Sequence, residues 1–160
     1  AGMSTDELGY AYSRWQTMMD NLSRLAAEEG ITFQPHTFTT NSHKSLLLAE
    51  AAKTAGTDVF YAVHRRLLEE FLSEGQNIAD EAVLTQLAGT AGMTEEQIAA
   101  AWNDEKYEER LKLYRGAAHE LNVRATPTIF FGEEQRIDGA LPLTVFKKLA
   151  AEGAAAQGPQ

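Results

Sequence analysis

Redox, metal and nucleophilic chemistry each need particular side chains at particular spacings, and this chain is short of most of them. It has no cysteine, which excludes disulfides, thiolate metal sites and thiol catalysis by its own residues. Its four histidines are His36, His43, His64 and His119. None forms an i,i+4 helical pair and none belongs to an HExxH pattern. His36 and His43 flank a Thr-rich loop, but exposed or hydrogen-bonded histidines are the expectation there, and no metal site is assigned. Glu69-Glu70 and Glu108-Glu109 are paired in sequence, yet neighbours on a helix point in different directions. That suits a solvated face better than a general acid–base pair. Gly132-Glu133-Glu134 is acidic and precedes no helix, so it reads as a hairpin turn and not as a phosphate cradle. Serine and threonine are plentiful, without a G-x-S-x-G elbow. No catalytic residue and no cofactor is assigned.

The composition narrows the classes further. The 160 residues are 44% apolar, with two Trp, five Tyr and seven Phe, enough for a real core and against wholesale disorder. A net charge of -9, from 23 acids and 14 bases, repels polyanions, so no nucleic-acid partner is expected. No apolar run approaches the ~20 residues of a membrane span. The N-terminus lacks a basic region followed by an apolar one. No membrane partner is expected, and the expected location is cytoplasmic. Ala1-Gly2 before Met3 reads as a cloning remnant in a flexible start over residues 1–7. Gly153 to Gln160 reads as a mobile end, within a tail over 152–160.

The elements that must position any site are mostly helical. Trp15, Met18, Met19, Leu22, Leu25 and Ala26 recur at three and four, which predicts a helix stopped by Gly30. The Trp15/Met18/Met19 stripe reads as core packing in preference to a peptide groove. Ile31 to Thr37 alternates but holds Pro35, and reads as an extended connector or edge segment. Thr40, Asn41 and Ser42 offer N-caps to a helix with Leu46, Leu47, Leu48, Ala51 and Ala52, ending at Gly56. Thr57 opens a helix whose face is Phe60, Val63, Leu67, Leu68 and Phe71, ending at Gly75. Asp80 caps a short helix with Val83, Leu84 and Leu87. Thr94-Glu95-Glu96-Gln97 is a capping box ahead of Ile98 and Trp102. Tyr107, Leu111, Tyr114, Ala118 and Leu121 share one face of a further long helix. The period then changes. Thr126 to Phe131 is β-rich, Gln135 to Asp138 returns as a second strand, and Pro142 opens a last helix with Val145, Phe146 and Leu149. The predicted order is six helices, a hairpin and one helix.

Several segments in that order resemble one family. Asn41-Ser42 before a Leu/Ala helix resembles "N-[ST]-x-x-A". Glu69 to Asp80, followed by Val83-Leu84, resembles "AYF-x-E-G-x-[DN]-I-x-D-x-x-V-L". Ala117 to Pro127 resembles "A-x-x-L-G-[IV]-x-G-[VT]-P", and Ile137 to Pro142 with Phe146 resembles "x-x-G-A-[QL]-P-x-x-x-F". Together, from about Leu8 to Ala151, they resemble the helical insertion and C-terminal ββα half of DsbA-like thioredoxin-fold oxidoreductases, nearest to the FrnE-like branch. The resemblance implies a mainly helical α+β chain, with a helical insertion over 8–121 and the ββα half of a thioredoxin-like domain over 122–151.

The departures from the family pattern matter as much. Family members begin with a strand, a C-x-x-C at a helix start and a second strand. That βαβ unit is absent here, and Leu46-Leu47 stands where FrnE-like members often have His-Arg. The resemblance also implies that the bond before Pro127 is cis, and that Thr126 and Pro127 form a substrate-binding loop for an extended peptide or protein. The family is one of protein disulfide oxidoreductases and isomerases, so a chain without cysteine reads as inactive by itself. A non-enzymatic helical module that binds protein or peptide is the alternative reading. A relative of the glutathione-dependent isomerases and kappa-class transferases, whose first-helix Ser is equally missing, is a weaker one. With the strand that would flank Thr128 to Phe131 missing, a homodimer is expected, by edge pairing of the hairpins or by helix exchange.

Overall fold

The computed structural model describes residues 3–4, 12–34, 38–131, 135–139 and 141–156. In order it contains β1 (Met3–Ser4), α1 (Tyr12–Glu28), β2 (Phe38–Thr39), α2 (His43–Ala55), α3 (Thr57–Leu72), α4 (Glu81–Thr90), α5 (Glu95–Asn103), α6 (Glu105–Glu120), β3 (Thr128–Phe131), β4 (Gln135–Asp138) and α7 (Leu143–Ala156). The chain falls into two compact units, Ala1–Leu113 and Tyr114–Gln160, with α6 contributing residues to both.

The first unit is organised around α2. Leu47, Leu48, Ala49, Glu50, Ala51 and Ala52 are buried in succession, which a helix achieves only when neighbours cover it on more than one side. The neighbours are α3, α4 and α5. Leu48 and Ala52 join Val63 and Leu67 of α3, Leu84, Leu87 and Ala88 of α4, Ile98 and Ala101 of α5 and Tyr107 of α6 in one apolar cluster. The alanines of α2 let these helices approach closely, since each removes a layer of side chain. Two polar contacts fix α6 against the helix. The Tyr107 hydroxyl lies 3.0 Å from Thr54 Oγ1, and His43 Nε2 lies 2.9 Å from Glu108 Oε2.

Local chemistry sets the helix ends. Asn41 Oδ1, not the Ser42 hydroxyl, accepts from the His43 amide at 3.0 Å at the start of α2. Thr40 instead donates to Asn77 Oδ1 at 2.7 Å. Asp80 accepts from the Ala82 amide, and Thr94 and Gln97 form the reciprocal capping box. α1 ends in a Schellman turn, with the Ile31 amide on the Ala26 carbonyl at 2.8 Å and Gly30 at φ +74°, where a Cβ would be strained.

The structure departs from the residue pattern in three places. Met3–Ser4 forms a short strand, unannounced by the residue pattern, paired antiparallel with Phe38–Thr39. The segment Ile31 to Gln34 is a connector, one of its two expected forms, and enters no sheet; the Gln34 amide donates to the Leu72 carbonyl at 2.8 Å, and residues 35–37, with His36, lie outside the described residues. The tail is helical as far as Ala156, because an alanine run holds helix with little help from packing. Finally, the α1 stripe does not join the core. Met18 is 45% exposed, and α1 makes no extensive contact with another described element. The Trp15 side chain lies outside the described residues.

One buried charge stands inside this packing. The Glu50 side chain is 6% exposed and pairs with Lys53 Nζ through Oε1, while Oε2 is buried without a hydrogen-bond partner among the described residues. Removing Lys53 deprives a buried carboxylate of its counter-charge, whereas removing Glu50 removes the desolvated group itself. Lys53→Ala is therefore expected to lower unfolding free energy by about 1–3 kcal/mol in urea titrations, and Glu50→Met to be neutral or stabilising. Leu48→Ala, at a fully buried position, is expected to cost about 2–5 kcal/mol.

Candidate functional site

The second unit carries the loop that the family resemblance singles out. α6 ends in a Schellman turn without glycine: the Val123 amide donates to the Ala118 carbonyl at 2.8 Å and the Asn122 amide to the His119 carbonyl at 3.0 Å. Asn122 takes φ +52°, a conformation that asparagine tolerates better than most residues. The chain then passes through Arg124, Ala125, Thr126 and Pro127, all exposed, into β3. The Thr126–Pro127 bond is cis.

β3 pairs antiparallel with β4, with Thr128 opposite Asp138, Ile129 opposite Ile137 and Phe130 opposite Arg136. The Gly139 amide extends the ladder onto the Pro127 carbonyl at 2.7 Å. Thr126 makes no backbone hydrogen bond among the described residues. Neither β3 nor β4 has a second strand beside it among the described residues, so one ladder edge of β3 begins next to an exposed loop.

A polar network anchors this corner. Arg136 Nε and Nη2 lie 2.9 and 2.8 Å from Asp138 Oδ1, and Arg136 Nη1 donates to the Leu121 carbonyl at 3.3 Å. Thr128 Oγ1 lies 2.6 Å from the Ala125 carbonyl oxygen and 3.0 Å from Asp138 Oδ1, one donor between two acceptors. The Arg136 hydrogen bonds, reinforced by the one from Thr128 and by the guanidinium charge, hold the Asp138 carboxyl below its ordinary range. One aromatic contact ties α7 to the hairpin, Phe131 to Phe146 at 5.4 Å between ring centroids. Among the described residues of this unit, Ile137 is the buried apolar one.

The other residues with chemical potential are dispersed or occupied. His43 pairs with Glu108, His64 stacks on Phe60, and His119 is exposed in the last turn of α6. Among the described residues no group of three His, Asp or Glu is placed to hold a metal ion. Glu69 and Glu70 lie on a solvated face, as expected, and both reach the Arg66 guanidinium in exposed ion pairs, since Arg66 stands one turn before them and between their directions. Glu109 remains exposed. Residues 132–134, expected as a turn, lie outside the described residues. The Arg136–Asp138–Thr128 network has no clear signal in the sequence beyond alternation, because it depends on strand register.

A carboxyl whose folded-state pKa is depressed stabilises the folded state above its ordinary range and loses that contribution as pH falls through the depressed value. Asp138→Asn is therefore expected to lower the hairpin's amide-exchange protection at neutral pH. The wild-type advantage is expected to shrink as the medium is acidified below the ordinary carboxylate range.

Comparison with known proteins is consistent with this geometry. A family model for the DSBA-like thioredoxin domain matches residues 2–151. No curated protein matches the sequence. Among solved structures, a protein from Streptomyces coelicolor named as a probable DsbA oxidoreductase superimposes with TM-score 0.79 at 20% identity, over 98% of this chain and 67% of the other. One from Nitrosomonas europaea, named for protein disulfide isomerase, gives TM-score 0.70 at 13% identity, over 93% and 78%. These two share the fold. No described helix is long and apolar enough to cross a membrane. On the family match, which runs nearly the length of the chain, the protein belongs to the DSBA-like thioredoxin domain family, and its 160-residue sequence contains no cysteine.

Proposed function

We propose that this chain is the peptide-holding part of a DsbA-like thiol–disulfide oxidoreductase of the FrnE-like branch, and that the redox thiols come from outside these 160 residues. Thiol–disulfide exchange begins with attack by a thiolate, and no side chain of this sequence supplies one. One observation carries the peptide-holding role: exposed Thr126, free of backbone hydrogen bonds among the described residues, leads into a β3 edge that has no second strand among them. An edge of that kind accepts an extended peptide through main-chain hydrogen bonds, so Thr126 and Pro127 position the substrate strand and do no chemistry on it. The Asn41-Ser42 segment and the stretch from Glu69 to Leu84 support the FrnE-like assignment. In the absence of peptide, the same edge pairs with its counterpart in a second copy, giving a homodimer.

The purified chain is expected to show no insulin reduction and no oxidation of a dithiol peptide. Turnover that survives removal of contaminating oxidoreductases would defeat the assignment of the thiols elsewhere. A labelled extended peptide of alternating Val and Thr should shift the amide resonances of Thr126, Thr128 and Phe130, and should convert the dimer to a monomer by light scattering. Binding that leaves these amides unmoved, or a chain that is monomeric without peptide, would reject the corresponding part of the proposal.

A further inference from the structure

A second recognition surface lies in the first unit, on α3. Its groove, about 670 Å³ and open to solvent, is walled by Tyr61, Ala62, Arg65 and Arg66 of α3 and by Thr90 and Ala91 at the end of α4, with Asp58 at one end. Gly92, at φ +96°, takes the left-handed conformation that turns the chain after α4. Tyr61, Arg65 and Leu68 follow one another at i, i+4 and i+7, so they share a face. All three are exposed, Tyr61 at 60% and Leu68 at 49%.

The polar groups of the groove are not equivalent. The Thr90 hydroxyl donates to the Leu87 carbonyl at 2.9 Å within its own helix. Arg66 is held by Glu69 and Glu70. Arg65 has no ion pair or hydrogen bond among the described residues. In a chain of net charge -9, an uncompensated guanidinium between a tyrosine and a leucine has the composition of an interface anchor. A long polyanion would be repelled by the rest of the surface and by Asp58, whereas a short carboxylate-bearing segment with apolar neighbours matches both the charge and the flanks.

We propose that this groove docks an acidic segment of a partner protein, with a Glu or Asp carboxylate on Arg65 and apolar side chains against Tyr61 in the groove and against Leu68 outside its lining, on the same face of α3. A short fluorescein-labelled peptide with Glu flanked by Leu and Phe is the probe, and its Gln counterpart the control. The Glu peptide should bind the purified chain and shift amides of residues 58–66 and 90–92. The Gln peptide, and separately Arg65→Gln, should each weaken binding about fivefold, as should a rise in salt. Ala62→Trp, which puts bulk into the lining, should abolish the shifts while Arg65→Lys retains part of the affinity. Equal binding of both peptides, indifference to Arg65→Gln, absence of binding, or shifts confined to β3 would overturn the proposal. Shifts confined to β3 would leave the role proposed for Thr126–Pro127 standing.

Discussion

The position of α2 is the constraint from which the helical unit follows. Six successive buried residues, Leu47 to Ala52, can be covered only if α3, α4 and α5 close around the helix. Those three helices therefore need one apolar face each, while α2 needs nearly all of its faces. Small side chains answer this: Ala49, Ala51 and Ala52 leave room for Val63, Leu84, Ala88 and Ala101 to come close. The cost of such burial falls on polar side chains that cannot escape it. Glu50 is kept inside with one oxygen on Lys53 and the other without a partner among the described residues, and Ser45 satisfies its hydroxyl on the Ser42 carbonyl at 2.8 Å.

The two ends of α2 show how polar contacts orient what burial brings together. At its N-terminal end, Lys44 pairs with Glu81 of α4, and the Lys44 carbonyl accepts from Trp102 Nε1 of α5 at 3.3 Å. At its C-terminal end, Thr54 meets the Tyr107 hydroxyl. Each contact is small in energy at a partly exposed site. Together they select one register among the several that an alanine-rich helix would otherwise allow.

Much of this architecture is legible in residue order, and what is not has physical causes. Helix stops at Gly30 and Gly56 and starts at Asp80 and Thr94 depend on neighbouring residues only, and sequence spacing reports them well. The α1 face departs from its expected burial because periodicity says that a stripe is apolar, not that another element exists to cover it; Met18 stays exposed. The pairing of Met3–Ser4 with Phe38–Thr39 joins two dipeptides more than thirty residues apart, too short for any alternation to show. Adjacency marks Glu69 and Glu70 as a solvated pair, which they are, but not that the guanidinium one turn before them reaches both. At the hairpin, β-branched and aromatic content marks both strands, but the Arg136–Asp138–Thr128 contact requires the register itself.

The hairpin differs from the helical unit in how little it buries. Ile137 is its buried apolar residue, while Phe130, Leu141, Leu143 and Val145 remain substantially exposed, and two strands alone are marginal in water. Among the described residues its contacts are mostly polar, and a region that buries little apolar surface belongs with the readily opening parts of a chain. Any occupant that binds only the closed hairpin adds RT ln(1 + [L]/Kd) to its opening free energy. The order of this region thus becomes a function of the concentration of what it binds, and part of each occupant's intrinsic affinity is spent on closing the hairpin.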